Sequence, residues 1–176
     1  MPHLADPVCW IPTVSAPPDI AAWLTQEGAL SDALLLKGAQ MTLIAQRCVA
    51  NDWIREVLFH NTQGPLTYGR VVMPFSTYQY HQTALDALGN CPIGKTLLYA
   101  NPTVTRSAFE FACLEKTDEL FQQALLSCQR KLASSSNINP LDWMPAFAGM
   151  TKLLWARRSH FTWASHPLSI TEVFFL

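Results

Sequence analysis

The chain has 176 residues, 49% of them hydrophobic and 14% charged, with a net charge of −1 and a pI near 6.5. That length suits one domain with a sizeable core, and the excess of apolar over charged residues excludes disorder for most of it. Near-neutral charge gives no standing attraction to nucleic acid or an acidic membrane, and the longest apolar runs, such as 33–36 and 173–176, are far too short to span a bilayer.

Five cysteines, Cys9, Cys48, Cys91, Cys113 and Cys128, are scattered, odd in number and free of any C-x-x-C pair. The opening MPHLADPVCW carries no signal peptide, so reduced thiols in the cytoplasm are expected. Twelve prolines against seven glycines point to stiff connections.

From Pro17 to Gly38 the spacing predicts two short helices. Ile20, Trp23 and Leu24 recur helically after Pro-Pro-Asp, and Ser31 is placed to cap SDALLLK, which Gly38 closes. The pair has a helix-turn-helix outline without the basic charge that DNA requires. A strand is expected over 41–49, turned by Ala50-Asn51 into a second over 52–60 as an antiparallel hairpin. NTQGP at 61–65 reads as a turn, followed by a strand over 66–73 that stops at Pro74. Ser76 or Thr77 then caps a helix to Leu88, ended by Gly89, and NCPIGK at 90–95 is a loop whose Gly94 allows close backbone approach. One strand is expected through 103–111. Leu114, Thr117, Phe121, Ala124, Leu125, Cys128 and Leu132 predict an amphipathic helix over 114–132. The aperiodic SSSNINPLDWMPAFAGMTK follows, and 113–152 is read as an insertion. A last hairpin pairs 154–163 with 168–176 across ASHP. The expectation is one α+β domain over 1–176, with a single antiparallel sheet of about six strands and helices on one side.

Two of these strands carry isolated charges. Alternation in LSITEVFFL puts Glu172 on a face with Leu168, Ile170, Phe174 and Leu176, and in DWIREVLFH it puts Arg55 with Trp53, Val57 and Phe59. A lone charge taken from water costs several kcal/mol or more, so each needs a partner. That partner is the other residue, a small polar ligand in a closed cavity, or, if the face meets water, an ordinary cross-strand pair.

The blocks WIREVLF, YGRVVMP-S, LGNCPIGKTLL, TVTRSAFEF, LWARRSHF and PLSITEVFFL, in this order, resemble the chorismate pyruvate-lyase family over roughly 10–112 and 153–176. The resemblance implies a lyase that eliminates pyruvate from chorismate to give 4-hydroxybenzoate, the first committed step of ubiquinone biosynthesis. It implies a buried cavity under helical flaps and no metal or organic cofactor. By position, Arg55 would grip the ring carboxylate, Glu172 would meet the ring hydroxyl at the other end, and Pro92-Ile93-Gly94 would help hold the carboxylate. Leu30 stands where family members carry a flap methionine. Chorismate and 4-hydroxybenzoate are then the partners of a monomeric cytoplasmic chain, with no nucleic acid and no stable membrane insertion. The departures are a short 49–53 connection and residues 113–152, whose WMPAFAGMTK has the texture of translated repeat sequence.

The rival reading is a non-catalytic or impaired aromatic-acid-binding domain of the same fold, such as the effector-sensing module of a regulator. Fewer than twenty residues precede the first helix, and none of them forms a basic patch. Arg157 is open between a second anion contact and stacking on Trp155, Phe161 and Trp163, and Lys95 between substrate attraction and a solvated loop lysine. The five histidines show no zinc spacing, no G-x-S-x-G elbow occurs, and GNCPIGK lacks the frame of a phosphate loop.

Overall fold

The computed structural model describes residues 8–134 and 153–175. Its centre is a seven-stranded antiparallel sheet: β1 (Gln40–Val49), β2 (Asp52–His60), β3 (Pro65–Pro74), β4 (Val104–Arg106), β5 (Glu110–Glu115), β6 (Leu153–Trp163) and β7 (His166–Phe174). The strands run β1-β2-β3-β7-β6-β4, with β5 also paired to β6. Among the described residues four helices accompany it, α1 (Pro18–Leu24), α2 (Leu30–Leu36), α3 (Phe75–Asp86) and α4 (Glu119–Ser134), with a wide helical turn at Gly94–Leu98.

Strand alternation divides the sheet into two faces. On the first, Trp53, Met73, Phe161 and Leu168 pack against Leu85 and Leu88 at the end of α3, and Phe59 and Phe174 pack against Leu24, Leu30 and Leu34 of α1 and α2. Leu34, 1% exposed, contributes about 1.5–3 kcal/mol by its burial. On the second, Leu58, Tyr68, Ala156 and Val173 meet Leu120, Phe121, Ala124 and Cys128 of α4. Helices therefore cover both faces rather than one. The reason is the narrow apolar stripe of α4, which needs a surface of its own.

Several boundaries differ from the sequence expectation, each for a local reason. The helix expected from Leu114 starts at Glu119, because Cys113–Glu115 continue β5 against Leu153–Trp155. The stretch set apart from Cys113 onward thus supplies the end of β5 and α4, and 135–152 lie outside the described residues, as does Leu176. The strand expected over 103–111 divides into β4 and β5, because at the break the Ser107 backbone N–H donates to His160 O (2.8 Å) and Ser107 Oγ accepts from the His160 N–H (3.0 Å). Neither Ser76 nor Thr77 caps α3. Pro74 holds the cap position with φ −53°, and the Thr77 hydroxyl donates to Pro167 O (3.1 Å), tying the helix to β7. Likewise Ser31 lies inside α2, which Ala29 precedes. The last turn is two residues long, not four: Trp163 faces His166, and Ala164 and Ser165 both have positive φ (46° and 70°), the hairpin geometry that matches strand twist.

The second face holds a buried polar network. The Tyr68 hydroxyl donates to Glu56 Oε1 (2.7 Å), and Arg47 Nη1 donates to Glu56 Oε2 (2.5 Å). Burial pushes the Glu56 carboxyl up, but the bonds from Arg47 and Tyr68 outweigh it and leave the group below its ordinary value. His60, beside Thr42, is held below its ordinary 6.5 by burial and then by Lys131. Both folded values lie below the unfolded ones, so each contribution is complete above its unfolded value and is lost as pH falls from there through the folded value. Stability should decline on acidification in two windows, the first beginning near 6.5 and the second near 4.5. Urea midpoints against pH check this: His60→Gln should shrink the first, to which His81, also held below its ordinary value by burial, contributes the rest, and Glu56→Gln should remove the second. Tyr68→Phe should cost about 1.5–3 kcal/mol, since it strips a bond from a buried carboxylate.

Candidate active site

The first face carries a cavity of about 60 Å³. Its floor comes from β2, β3, β6 and β7, and its rim from the start of α2 and the turn around Pro92–Gly94. Arg55, Glu172, Ile93, Gly94 and Leu30 all line it. Residues from four separate parts of the chain, grouped only by motif and alternation in the sequence, therefore line one cavity.

Register explains the layout. Across the sheet, Arg55, Val71 and Ile170 form one row, and Val57, Gly69, Glu172 and Arg157 the next. Arg55 and Glu172 are thus two strands and two residues apart, about 12 Å between their Cα atoms from ordinary strand spacing. Val71, Ile170 and the bare backbone of Gly69 separate them. Each is drawn toward the strand on its outer side, Arg55 to Gln46 of β1 and Glu172 to Arg157 of β6, which leaves the floor between them to these apolar groups.

Arg55 is 1% exposed. Its Nη1 donates to Gln46 Oε1 (2.7 Å), and its Nη2 donates to Gly89 O (2.7 Å) and Cys91 O (3.1 Å). Nε is buried without a partner, and among the described residues no carboxylate pairs with the guanidinium. Burial pulls its proton affinity down, though an arginine remains charged. A buried cation held by neutral oxygens alone lacks the anionic partner that would offset its loss of hydration. The helix stop at Gly89 and the NCP segment that follows are what hold this charge, a role that sequence did not reveal.

Glu172 does not pair with Arg55. Its Oε2 accepts a short hydrogen bond from Nε of Arg157, directly opposite on β6, and the residue also lines the cavity. Arg157 neither lines the cavity nor stacks on Trp155, Phe161 or Trp163. Its guanidinium lies over Phe109 at 4.2 Å from the ring centre. Lys95 reaches Asp32 of α2 (2.8 Å), an exposed pair joining flap to turn. Tyr99, which the sequence did not single out, also lines the cavity. Burial, then the Glu172 charge, pushes its phenol above the ordinary value, so it stays a proton donor at neutral pH. A Cβ at Gly94 would meet this ring at 3.3 Å, a tight contact that a small shift of the ring would have to relieve.

A family model described as chorismate lyase matches residues 6–176. The probable chorismate pyruvate-lyase of Nitrosomonas europaea is 26% identical, the match covering 96% of this chain and 93% of that protein. That of Aromatoleum aromaticum is 25% identical over 93% and 88%. The chorismate pyruvate-lyase of Pectobacterium atrosepticum is 26% identical over 69% of this chain and 48% of its own. This chain belongs to the chorismate lyase family.

Proposed function

We propose that the protein eliminates pyruvate from chorismate to give 4-hydroxybenzoate, with no metal or organic cofactor, as a cytoplasmic monomer serving ubiquinone formation. The observation that carries this reading is the buried Arg55, without an anionic partner among the described residues, at one end of a cavity whose other end is Glu172. Arg55 takes the ring carboxylate with its free Nε–H, and Ile93 and Gly94 close over that end. Leu30 covers the ring from α2. Glu172 Oε1 accepts the hydrogen of the ring hydroxyl.

The C–O bond to the enolpyruvyl group breaks and its electron pair leaves with the oxygen. The hydrogen on the neighbouring hydroxyl-bearing carbon departs as a proton, and its bonding pair completes the aromatic ring. The departing enolpyruvate takes up a proton and becomes pyruvate. Aromatisation drives the step, so the protein orients the ring, balances its charge and keeps water out. Glu172, beside the carbon that loses the proton, is the group placed to receive it.

Two-ended recognition is testable by titration. 4-Hydroxybenzoate should bind at least about tenfold more tightly than benzoate or phenol, each of which leaves one buried polar end unmet. Equal affinity for benzoate would remove Glu172 from the hydroxyl end. Glu172→Gln should retain binding while kcat falls by about 100-fold or more; unchanged turnover would end its proton-transfer role.

A further inference from the structure

We propose that Arg157 is a positioning residue, which fixes the Glu172 carboxylate and makes its orientation depend on the docking of α1. The proposal rests on the reading of the cavity given above. Arg157 is 1% exposed and sits where two parts of the structure meet. Through Nε it holds Glu172 Oε2. Through Nη1 it donates to Gln26 O (2.7 Å), Leu24 O (3.0 Å) and Trp23 O (3.4 Å).

Those carbonyls lie in the last turn of α1, at Trp23 and Leu24, and just past it, at Gln26, where a helix end runs short of intrahelical donors and a cation is favourable. The side chain is therefore both the cap of a flap helix and the only polar contact that fixes Glu172 among the described residues. Phe109 at 4.2 Å and Phe174 at 5.9 Å from the guanidinium carbon keep it dry, which strengthens both sets of bonds.

The geometry makes the two contacts interdependent. A planar guanidinium rotates as one body, so drawing it toward Glu172 moves Nη1 against the α1 carbonyls, and lifting α1 frees the guanidinium to turn. Nη2, buried and without a partner, offers no third anchor. A ligand whose hydroxyl engages Glu172 Oε1 thus favours the docked α1, and a docked α1 presents Glu172 correctly to the ligand. Lysine at 157 cannot serve both directions, because its ammonium lacks the fork.

The test uses the full chain as wild type, Arg157→Lys, Glu172→Gln and the double variant. Turnover of chorismate should fall about 100-fold in kcat for Arg157→Lys, while KM stays within about threefold because Arg55 still holds the carboxylate. The double variant should be no slower than Glu172→Gln alone, as expected of residues acting through one group. Wild-type kcat in Arg157→Lys, or a double loss equal to the product of the single losses, would overturn the proposal.

Should Arg157→Lys fail to fold, amide hydrogen exchange decides without it. Adding 4-hydroxybenzoate should slow exchange of the amides over 18–26 in the wild type, and this protection should be lost in Glu172→Gln at saturating ligand. Equal protection in both would overturn the coupling. Wild type that releases no pyruvate from chorismate would overturn the lyase reading instead, and the exchange comparison would still decide the role of Arg157.

Discussion

Replacing Arg55 by alanine is expected to weaken 4-hydroxybenzoate binding by about 100-fold or more and to abolish measurable turnover. Truncating one side of a buried charged contact costs about 2–5 kcal/mol, and each 1.4 kcal/mol is a factor of ten. The magnitude belongs to the upper part of that range because Val71, Ile170 and Ile93 of the lining bear no charge, and the other arginine of the lining, Arg70, stands opposite Glu56 in the strand register, with its side chain on the second face. Arg55→Lys should recover less than a tenth of the loss. Its single ammonium cannot reach Gln46, Gly89 O and Cys91 O while also meeting a ligand, so the loop at 89–91 keeps only the bonds of Asn90 to the β1 backbone at Leu43 and Met41 as ties to that edge of the sheet among the described residues. Isothermal titration with the three proteins measures this directly. Near-wild-type affinity in Arg55→Ala would place the carboxylate elsewhere.

The second large effect is expected at Gly69. A Cβ there would lie 3.0 Å from Val57 Cγ2 and on the cavity side of the floor, in the row that leads to Glu172. Gly69→Val should weaken 4-hydroxybenzoate binding by about 10–100-fold, since overfilling a packed space costs about 1–3 kcal/mol. Valine suits a strand, so much of the loss should be local to the cavity. Adding Val57→Ala relieves the clash within the sheet and should restore thermal stability without restoring affinity. Recovery of both together would mean that Gly69 serves packing and not the ligand.

Much of this architecture was legible in the sequence because alternation is a strong signal. The faces of 52–60 and 168–176 came directly from the pattern, and with them the grouping of Arg55 and Glu172 on apolar ground. What could not be read followed from turn length. Taking ASHP as a four-residue turn sets Trp163 against Leu168 and Arg157 against Phe174. The actual two-residue turn at Ala164-Ser165 sets Arg157 against Glu172 and supplies the acid with its partner. Ala-Ser is an unusual pair for two positive φ values, which is why composition misled.

The hairpin at Ala50-Asn51 was read at its true length, so Gln46 opposite Arg55 was within reach of the same arithmetic. Gly69 carried no signal, because its role is the space it leaves. The start of α4 was placed early because Leu114, Thr117 and Phe121 are spaced three to four residues apart whether or not the first belongs to the strand.

The most direct measurement is the release of products from chorismate by the purified protein, with pyruvate and 4-hydroxybenzoate followed together and Arg55→Ala run in parallel. The account predicts equimolar release of both by the wild type and none by the variant. Saturable 4-hydroxybenzoate binding that requires Arg55, without release of either product, would contradict the lyase and leave an aromatic-acid-binding domain in its place.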